Sequence, residues 1–216
     1  MRDQFRHQLE TVLSALVEMT GEVRIALSEA TQALLEADAT KAESVIDGDL
    51  AIDEARERIE EDSFDILARQ APVAGDLRTL VATLRMVTDL ERMGDLSVHV
   101  AKVARLRFPA KAVPASLVPT ITSMARTADD MIVSAAEIIA TRDVSAALSL
   151  EAADDDMDRL RRSMFRLLLS KSWVAGVEPA VDAALLGRYY ERIGDHAVSM
   201  ARRLVFVVTG EHPVGV

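Results

Sequence analysis

The chain has 216 residues and no cysteine, and half of its residues are hydrophobic while only 4% are aromatic. The formal net charge of -10 argues against a general nucleic-acid binder, because such affinity comes largely from excess Lys and Arg. Disulfides and thiolate metal sites are excluded, and no apolar run approaches the ~20 residues of a membrane span. Because the N-terminus also lacks a signal-peptide layout, a soluble cytoplasmic protein is expected.

The first predicted element is a long helix with one apolar seam. Its apolar residues recur in alternating steps of four and three, at Phe5, Leu9, Val12, Leu16, Met19, Val23, Ala26 and Ala30. This spacing is typical of a helix that packs in a left-handed bundle. The same alternation returns 105 residues later, from Leu117 to Ile138. The repetition predicts that the second half of the chain copies the first.

The next two predicted helices also occur twice. The second helix has a seam of Val45, Asp49, Ile52, Arg56 and Ile59. The equivalent seam in the second half consists of Leu150, Asp154, Met157, Arg161 and Met164, each 105 residues later. The third runs from Leu77 to Ala101 and is answered, at a displacement of 100, from Val177 to Ala201. Each third helix contains one copy of the pattern Glu-Arg-x-Gly-Asp, at residues 91–95 and 191–195.

Turn-like breaks separate these segments. Residues 37–40 and 141–143 divide the first helix from the second in each half, and Asp38 and Asp143 are matched N-cap candidates. Residues 72–76 and 176–179 precede the third helices, with Pro179 expected at a first helical position. The prolines in residues 108–116 mark the main boundary. We therefore predict two antiparallel three-helix bundles, residues 1–108 and 115–210, followed by a short tail.

Acidic residues on the seams are the candidate functional groups. Glu91 and Asp95 share one helix face, and in an antiparallel hairpin Asp53 is level with Glu91 while Asp49 is level with Asp95. The second half repeats the arrangement with Asp154, Asp158, Glu191 and Asp195. Unpaired buried carboxylates are costly, so they need cations, arginines or protons as partners. Acids that project inward from facing helices can build a metal site with hard oxygen ligands.

A metal-free alternative stays open at this stage. The acids could be neutralised in ion-pair networks by the arginines near them, namely Arg56, Arg92, Arg161 and Arg192. Asp89 is off the face of Glu91 and is expected at the surface. His99 lies four residues after Asp95, but its counterpart is Ser199, so a capped or solvated histidine is expected there rather than a ligand. Gly94 and Gly194 suggest close helix approach, because an interior glycine costs ~1 kcal/mol relative to alanine.

At these residues the chain resembles the PhoU family, the accessory and regulatory proteins of bacterial phosphate transport. The resemblance rests on Asp-Leu-Glu-Arg-Met-Gly-Asp at 89–95, Glu-Arg-Ile-Gly-Asp-His-Ala at 191–197, and the Asp-x-x-apolar-Asp patterns at 49–53 and 154–158. It implies two three-helix bundles in pseudo-twofold relation. It also implies iron or zinc clusters, ahead of magnesium or manganese, on the acidic faces. The implied ligands are Glu91, Asp95, Glu191, Asp195, Asp49, Asp53, Asp154 and Asp158. Leu96 in the first motif answers His196 in the second, so the two sites are expected to be unequal.

The resemblance further implies a non-enzymatic regulator. Such proteins restrain the phosphate-starvation response and phosphate uptake by contacting the sensor histidine kinase and the ATPase of the phosphate ABC transporter. Membrane association would occur only through those partners, and the heptad-rich helices and the resemblance together suggest a homodimer. The competing hypotheses are a di-metal carboxylate enzyme and a metal-free helical adaptor. The first lacks the Glu-x-x-His pair usual at such sites. No glycine-rich loop or basic pocket for phosphate is evident, so signalling through partners is expected.

Overall fold

The computed structural model of the chain describes residues 2–211. Within that range the chain is all-α, as predicted, and contains no strand. Its helices are α1 (Arg2–Glu36), α2 (Ala39–Gln70), α3 (Ala74–Arg107), α4 (Val118–Thr141), α5 (Val144–Leu168) and α6 (Val177–Thr209). None of these helices combines the length and the apolar character needed to cross a membrane.

The predicted helix starts are confirmed at two aspartates. The Asp38 carboxylate accepts a hydrogen bond from the backbone N–H of Lys41 at 2.9 Å, and Asp143 caps α5 in the same way. The position predicted for Pro179 is wrong, because α6 begins at Val177 and the proline is its third residue. Proline is tolerated there since the amides of a first helical turn have no intrahelical acceptor.

The predicted seams are buried over most of their length. Val12, Leu16 and Met19 are at most 2% exposed, which places this face of α1 in the core. Further along α1 the buried residue is Leu27 rather than the predicted Ala26. A straight helix of 3.6 residues per turn drifts away from a strict 3.5-residue pattern, and this drift moves the buried position by one residue. At the start of α3, Leu77 lies on the predicted seam but is 40% exposed.

Four helices form the centre of the molecule and two lie on its flanks. α1 packs on α3, α3 on α6, α6 on α4, and α4 on α1, while α2 packs on α1 and α3 and α5 packs on α4 and α6. The two halves therefore have equivalent three-helix arrangements and also share an interface. The assignment of residues 1–108 and 115–210 to separate domains stays a prediction.

Charged residues also pair across the interface between the two halves. Arg24 on α1 donates two hydrogen bonds to Asp129 on α4, from Nε at 2.8 Å and from Nη2 at 3.0 Å. These two residues occupy equivalent positions, since 24 and 129 differ by the repeat displacement of 105. A pair of equivalent residues that contact each other lies on the pseudo-twofold axis. Opposite charges at this position favour pairing of one half with the other.

The α3–α6 contact is antiparallel and has an arginine–aspartate ion pair near each end. Arg107 near the end of α3 binds Asp182 near the start of α6, with 2.6 Å from Nε to Oδ2. At the opposite end of the contact, Asp89 on α3 binds Arg203 on α6. The two Glu-Arg-x-Gly-Asp segments lie between these ion pairs, midway along the interface. The fold thus places both copies of the motif on the central helices, near the middle of the α3–α6 contact.

Candidate metal-binding acidic clusters

Two groups of carboxylates occupy equivalent places in the two halves. The first acidic cluster comprises Asp49 and Asp53 on α2 with Glu91 and Asp95 on α3. The second acidic cluster comprises Asp154 and Asp158 on α5 with Glu191 and Asp195 on α6. Each cluster lies between one flanking helix and one central helix. The helix placement predicted for all eight acids agrees with the structure, while their role as metal ligands stays a prediction.

Glycine lets α2 and α3 approach closely at the first acidic cluster. A Cβ atom on Gly94 would lie 3.1 Å from the Ile52 Cδ1 atom and 3.6 Å from the Asp49 Oδ1 atom. A Cβ atom on Gly194 would lie 3.1 Å from the Met131 sulfur. In both helices a methyl group would press on a buried side chain beside the acids. This close approach explains the two interior glycines and brings Asp49 next to the third helix.

Mutual repulsion and burial act on the first acidic cluster. Partial burial raises the pKa of Asp49, and the neighbouring charges of Asp95 and Asp53 raise it further. Burial likewise raises the pKa of Glu91, with a further contribution from Asp95 that Arg92 partly opposes. The closest approach of Arg92 to Glu91 is 3.6 Å from Nε to Oε2, and the arginine side chain is 58% exposed. Arg92 also donates to the Asp95 carboxylate, with 3.3 Å from Nη1 to Oδ2. Negative charge is therefore concentrated here and is compensated mainly by one exposed arginine.

Arginines neutralise Glu191 in the second acidic cluster. The Arg161 Nη1 atom lies 3.2 Å from the Glu191 Oε1 atom, and Arg188, one turn before Glu191, donates to the other oxygen. Asp158 pairs with Arg162 on its own helix, whereas Asp154 and Asp195 are less well compensated. Burial raises the pKa of Asp154, followed by the charges of Asp195 and Asp158, and burial and then Glu191 raise the pKa of Asp195.

A few surrounding residues produce this difference between the clusters. The counterpart of Arg188 is Thr88, which cannot carry a charge and instead donates to the Leu84 carbonyl oxygen at 3.2 Å. Arg56, the counterpart of Arg161, is held on its own helix by Glu60, with 3.1 Å from Nη1 to Oε2.

In α5 the counterpart of Glu60 is Phe165, and the Arg161 guanidinium lies over its ring at 5.4 Å from the centroid. Without an acid at position 165, Arg161 is free to reach Glu191. The clusters are unequal, as expected, but the cause visible in the structure is arginine placement rather than the exchange of Leu96 for His196.

The first acidic cluster fits a divalent cation by the chemistry of its donors. All four side chains offer hard oxygen atoms, and the raised pKa values of Asp49 and Glu91 show where a positive charge would be stabilising. In residues 2–211 the side chains are not arranged as a group of three acids or histidines that could hold one ion. A bound cation would therefore require rotamer changes in these carboxylates. In the second acidic cluster it would also compete with Arg161 and Arg188.

Asp89 corrects the sequence analysis, because it is buried rather than at the surface. It is 7% exposed, and the His196 Nδ1 atom lies 3.0 Å from its Oδ1 atom while Arg203 binds the other oxygen. His196 therefore points across the α3–α6 interface toward Asp89 rather than into the second acidic cluster. Asp182, which the sequence pattern does not indicate, is likewise buried, at 5% exposed, and is bound by Arg107. Both aspartates face the other half of the chain, so periodicity within one helix could not reveal them.

His99 behaves as expected for a histidine outside a metal site. Its Nδ1 atom donates to the Asp95 carbonyl oxygen at 2.7 Å, and the side chain is exposed. The ring also lies 5.3 Å from that of Tyr189, measured between centroids. The histidine ring thus contacts the backbone of its own helix and the aromatic ring of Tyr189 on α6.

Comparison with known proteins agrees with the internal duplication. The family model described as "PhoU domain" matches the chain twice, at residues 16–104 and 121–204. The phosphate-specific transport system accessory protein PhoU homolog 2 of Mycobacterium tuberculosis is 45% identical over 213 residues, or 99% of this chain and 100% of that protein. PhoU homolog 1 of Mycobacterium leprae is 44% identical, over 99% of this chain and 96% of that protein.

Solved structures have the same fold. The crystal structure of PhoU from Pseudomonas aeruginosa is similar with a TM-score of 0.89 at 30% identity, covering 96% of this chain and 100% of that one. The phosphate transport system regulatory protein PhoU from Streptococcus pneumoniae is similar in fold, with a TM-score of 0.88 at 23% identity, covering 98% and 100% of the two chains. The similarity therefore extends over both repeats.

Proposed function

The chain belongs to the PhoU family, and from this membership we propose that it is a negative regulator of the phosphate-starvation response and of phosphate uptake. It acts by binding rather than by catalysis, and its partners are the sensor histidine kinase and the ATPase of the phosphate ABC transporter. The protein works in the cytoplasm as a homodimer and reaches the membrane only through these partners.

One observation carries this proposal: the doubled Glu-Arg-x-Gly-Asp motif lies in a chain that matches phosphate-transport accessory proteins almost from end to end. The relatives are named for an accessory role in phosphate-specific transport. The net charge of -10 supports protein partners rather than nucleic acid. The acidic clusters supply a charged, centrally placed surface on which a partner or a cation can act.

The acidic clusters are proposed to hold divalent metal, with iron or zinc ahead of magnesium or manganese. Asp49, Asp53, Glu91 and Asp95 form the stronger candidate site, since arginine offsets their charge less. A cation there would neutralise side chains whose pKa values are raised by burial and by each other. The second acidic cluster would bind more weakly, because the metal must displace the arginines that bind Glu191.

The first experiment is a pull-down with the full-length chain as bait. We expect the transporter ATPase and the sensor kinase to be captured when cells are grown in high phosphate, and less of both in low phosphate. The same capture in the two media would contradict phosphate-dependent regulation. Absence of both partners in both media would contradict the proposed binding role.

A quadruple alanine variant at Glu91, Asp95, Glu191 and Asp195 tests the acids themselves. We expect it to lose repression of the starvation response while retaining its helical circular dichroism spectrum. A matched control removes the same number of charges at the exposed aspartates Asp47, Asp62, Asp65 and Asp130. Normal repression in the folded quadruple variant, equal to that of the control, would exclude a role for the acids.

A metal-free helical adaptor is the second candidate, and the ion pairs of Glu191 with Arg161 and Arg188 favour it. Elemental analysis of protein purified without a chelator or a histidine tag separates the two readings. Near-stoichiometric iron or zinc supports the metal-bearing regulator. Metal-free protein whose thermal stability is unchanged by added metal supports the adaptor.

A further inference from the structure

The outer surfaces of α2 and α5 carry opposite charges at equivalent positions. On α2 the acidic face comprises Glu54, Glu57, Glu61 and Phe64. On α5 the basic face comprises Arg159, Arg162, Arg166 and Leu169, each displaced by 105 residues from its counterpart. The spacing of three, four and three residues places each set on one side of its helix. Three glutamates in the first repeat thus occupy positions equivalent to those of three arginines in the second.

Both faces are open to solvent and end in an exposed apolar side chain. Phe64 is 59% exposed at the end of the acidic face, and Leu169 is 85% exposed at the end of the basic face. The arginines of the basic face, with Arg161, Phe165 and Leu169, line an open cleft of about 800 Å³. An exposed hydrophobic residue beside a row of like charges suits a protein partner with the complementary pattern.

The fold does not require these charges. Arg162 binds Asp158 on its own helix at 2.7 Å, but both side chains are largely exposed, at 68% and 44%, so the pair stabilises the helix little. Arg159 likewise pairs with Asp156 on α5, and Glu54 pairs with Arg58 on α2 at 3.9 Å; all four side chains are exposed. Arg166 has no ion pair with any residue in the described part of the chain. Because the same helix arrangement carries acids in one repeat and arginines in the other, packing does not determine the sign.

We propose that the basic face of α5 binds the acidic face of α2 in a second copy of this chain. The two faces have the same residue spacing, so three guanidinium groups can meet three carboxylates, with Phe64 and Leu169 adding apolar contact. Arginine suits this role because its planar fork can donate two hydrogen bonds to one carboxylate. Exposed pairs within each helix would be exchanged for pairs between copies.

The positions of the faces determine the mode of association. α2 packs on α1 and α3, and α5 packs on α4 and α6, so the two faces belong to opposite flanks of the central helices. One contact between two copies then leaves a free acidic face at one end and a free basic face at the other. This inference rests on the homodimer of the proposed function and gives it a head-to-tail form, to which further copies add only as the concentration rises.

Sedimentation of the purified full-length chain over a wide concentration range tests the proposal. We expect the mass to rise above that of one chain at low salt and to return to it in about 1 M salt, where the Debye length is about 3 Å. The variant R159E/R162E/R166E has glutamate at each position, as the first repeat does, and should remain a single chain. The reciprocal variant E54R/E57R/E61R should also remain a single chain. Circular dichroism checks that both variants fold.

Mixing the two variants is the decisive experiment. One has acidic faces on both flanks and the other has basic faces on both, so they should associate with each other although neither associates alone. A fluorescent label on one variant reports the mixed complex by sedimentation. The proposal is overturned if wild type remains a single chain at low salt or if either variant associates as wild type does. It is equally overturned if the two mixed variants do not associate. Wild type that binds vesicles of anionic lipid but does not associate with itself would assign the basic face to a membrane surface instead.

Discussion

The first and second acidic clusters have equivalent positions in the fold but different electrostatic partners. In the first, Glu91 is 3.6 Å from the exposed Arg92, and its pKa is raised by burial and by Asp95. In the second, Glu191 is bound by both Arg161 and Arg188. Equivalent sets of four acids are therefore offset mainly by the exposed Arg92 in the first repeat, and include a glutamate bound by two arginines in the second.

This difference shows that the Glu-Arg-x-Gly-Asp motif alone does not determine which groups neutralise its carboxylates. The helix and the glycine place the carboxylates, whereas residues outside the motif decide what neutralises them. Thr88 in place of Arg188, and Glu60 in place of Phe165, leave Glu91 without the two arginine partners that Glu191 has. Equivalent motifs in a duplicated fold can therefore have separate roles.

The largest expected effect distinguishes Glu191 from Glu91. In metal-free protein, Glu191→Gln should lower the free energy of unfolding by about 2 kcal/mol, because hydrogen bonds to charged groups contribute ~1.5–3 kcal/mol each. The melting temperature should fall by about 2–4 °C per kcal/mol in a chain of this size. Glu91→Gln should leave stability unchanged or raise it, since the native site already disfavours the charge. Thermal unfolding in a chelator measures both, and equal losses would contradict the comparison.

A smaller effect is expected when the arginine is exchanged. Thr88→Arg should give Glu91 a partner at the spacing that Arg188 has with Glu191, and raise the stability of metal-free protein by about 0.5 kcal/mol. Arg188→Thr should do the opposite at Glu191. Urea unfolding with a chelator present gives both values. Changes of the same sign in the two variants would show that arginine at this position acts through something other than the glutamate.

The smallest effect is on the pH dependence of stability. The pKa of Asp49 is raised in the native state, so the native protein binds more protons than the unfolded chain between the usual carboxyl value near ~4 and the raised value. Asp49 therefore destabilises the metal-free fold at neutral pH, and this cost is relieved as the pH falls. Asp49→Asn should be more stable than wild type at pH ~7, by less than about 1 kcal/mol because the side chain is partly exposed.

The gain in Asp49→Asn should shrink as the pH falls, because the wild-type carboxyl becomes protonated in the native state before it does in the unfolded chain. The matched variant Asp154→Asn should behave in the same way, since the pKa of Asp154 is raised by the same kinds of neighbour. Urea unfolding of wild type and variants at several pH values supplies the differences. A gain that grows as the pH falls would reverse the sign of the assigned pKa shift.

Much of the fold could be predicted from the sequence because each helix carries its own periodic pattern. The buried seam of α2, the caps at Asp38 and Asp143 and the pairing of Asp49 with the third helix depend on residues close together in the chain or level across one hairpin. A displacement of 105 or 100 residues then transfers each assignment to the second repeat.

The remaining features depend on how the two repeats pack together. The Asp89 carboxylate is buried because α6 covers it and supplies Arg203, and nothing in the pattern of α3 indicates that neighbour. Of the two arginines at Glu191, Arg161 was expected as a candidate partner of the acids, whereas Arg188 was not. Which acid each arginine reaches depends on competing side chains such as Glu60, whose effect becomes visible only with the rotamers in place.

Metal content tests the central claim most directly, namely our proposal that the first acidic cluster binds a cation more strongly than the second because arginine offsets its charge less. Protein equilibrated with iron(II) or zinc and then dialysed should retain metal in wild type. The variant Asp49→Asn/Glu91→Gln should lose most of it, and Asp154→Asn/Glu191→Gln should lose little. Equal loss in the two variants, or a wild type that retains no metal, would contradict the account.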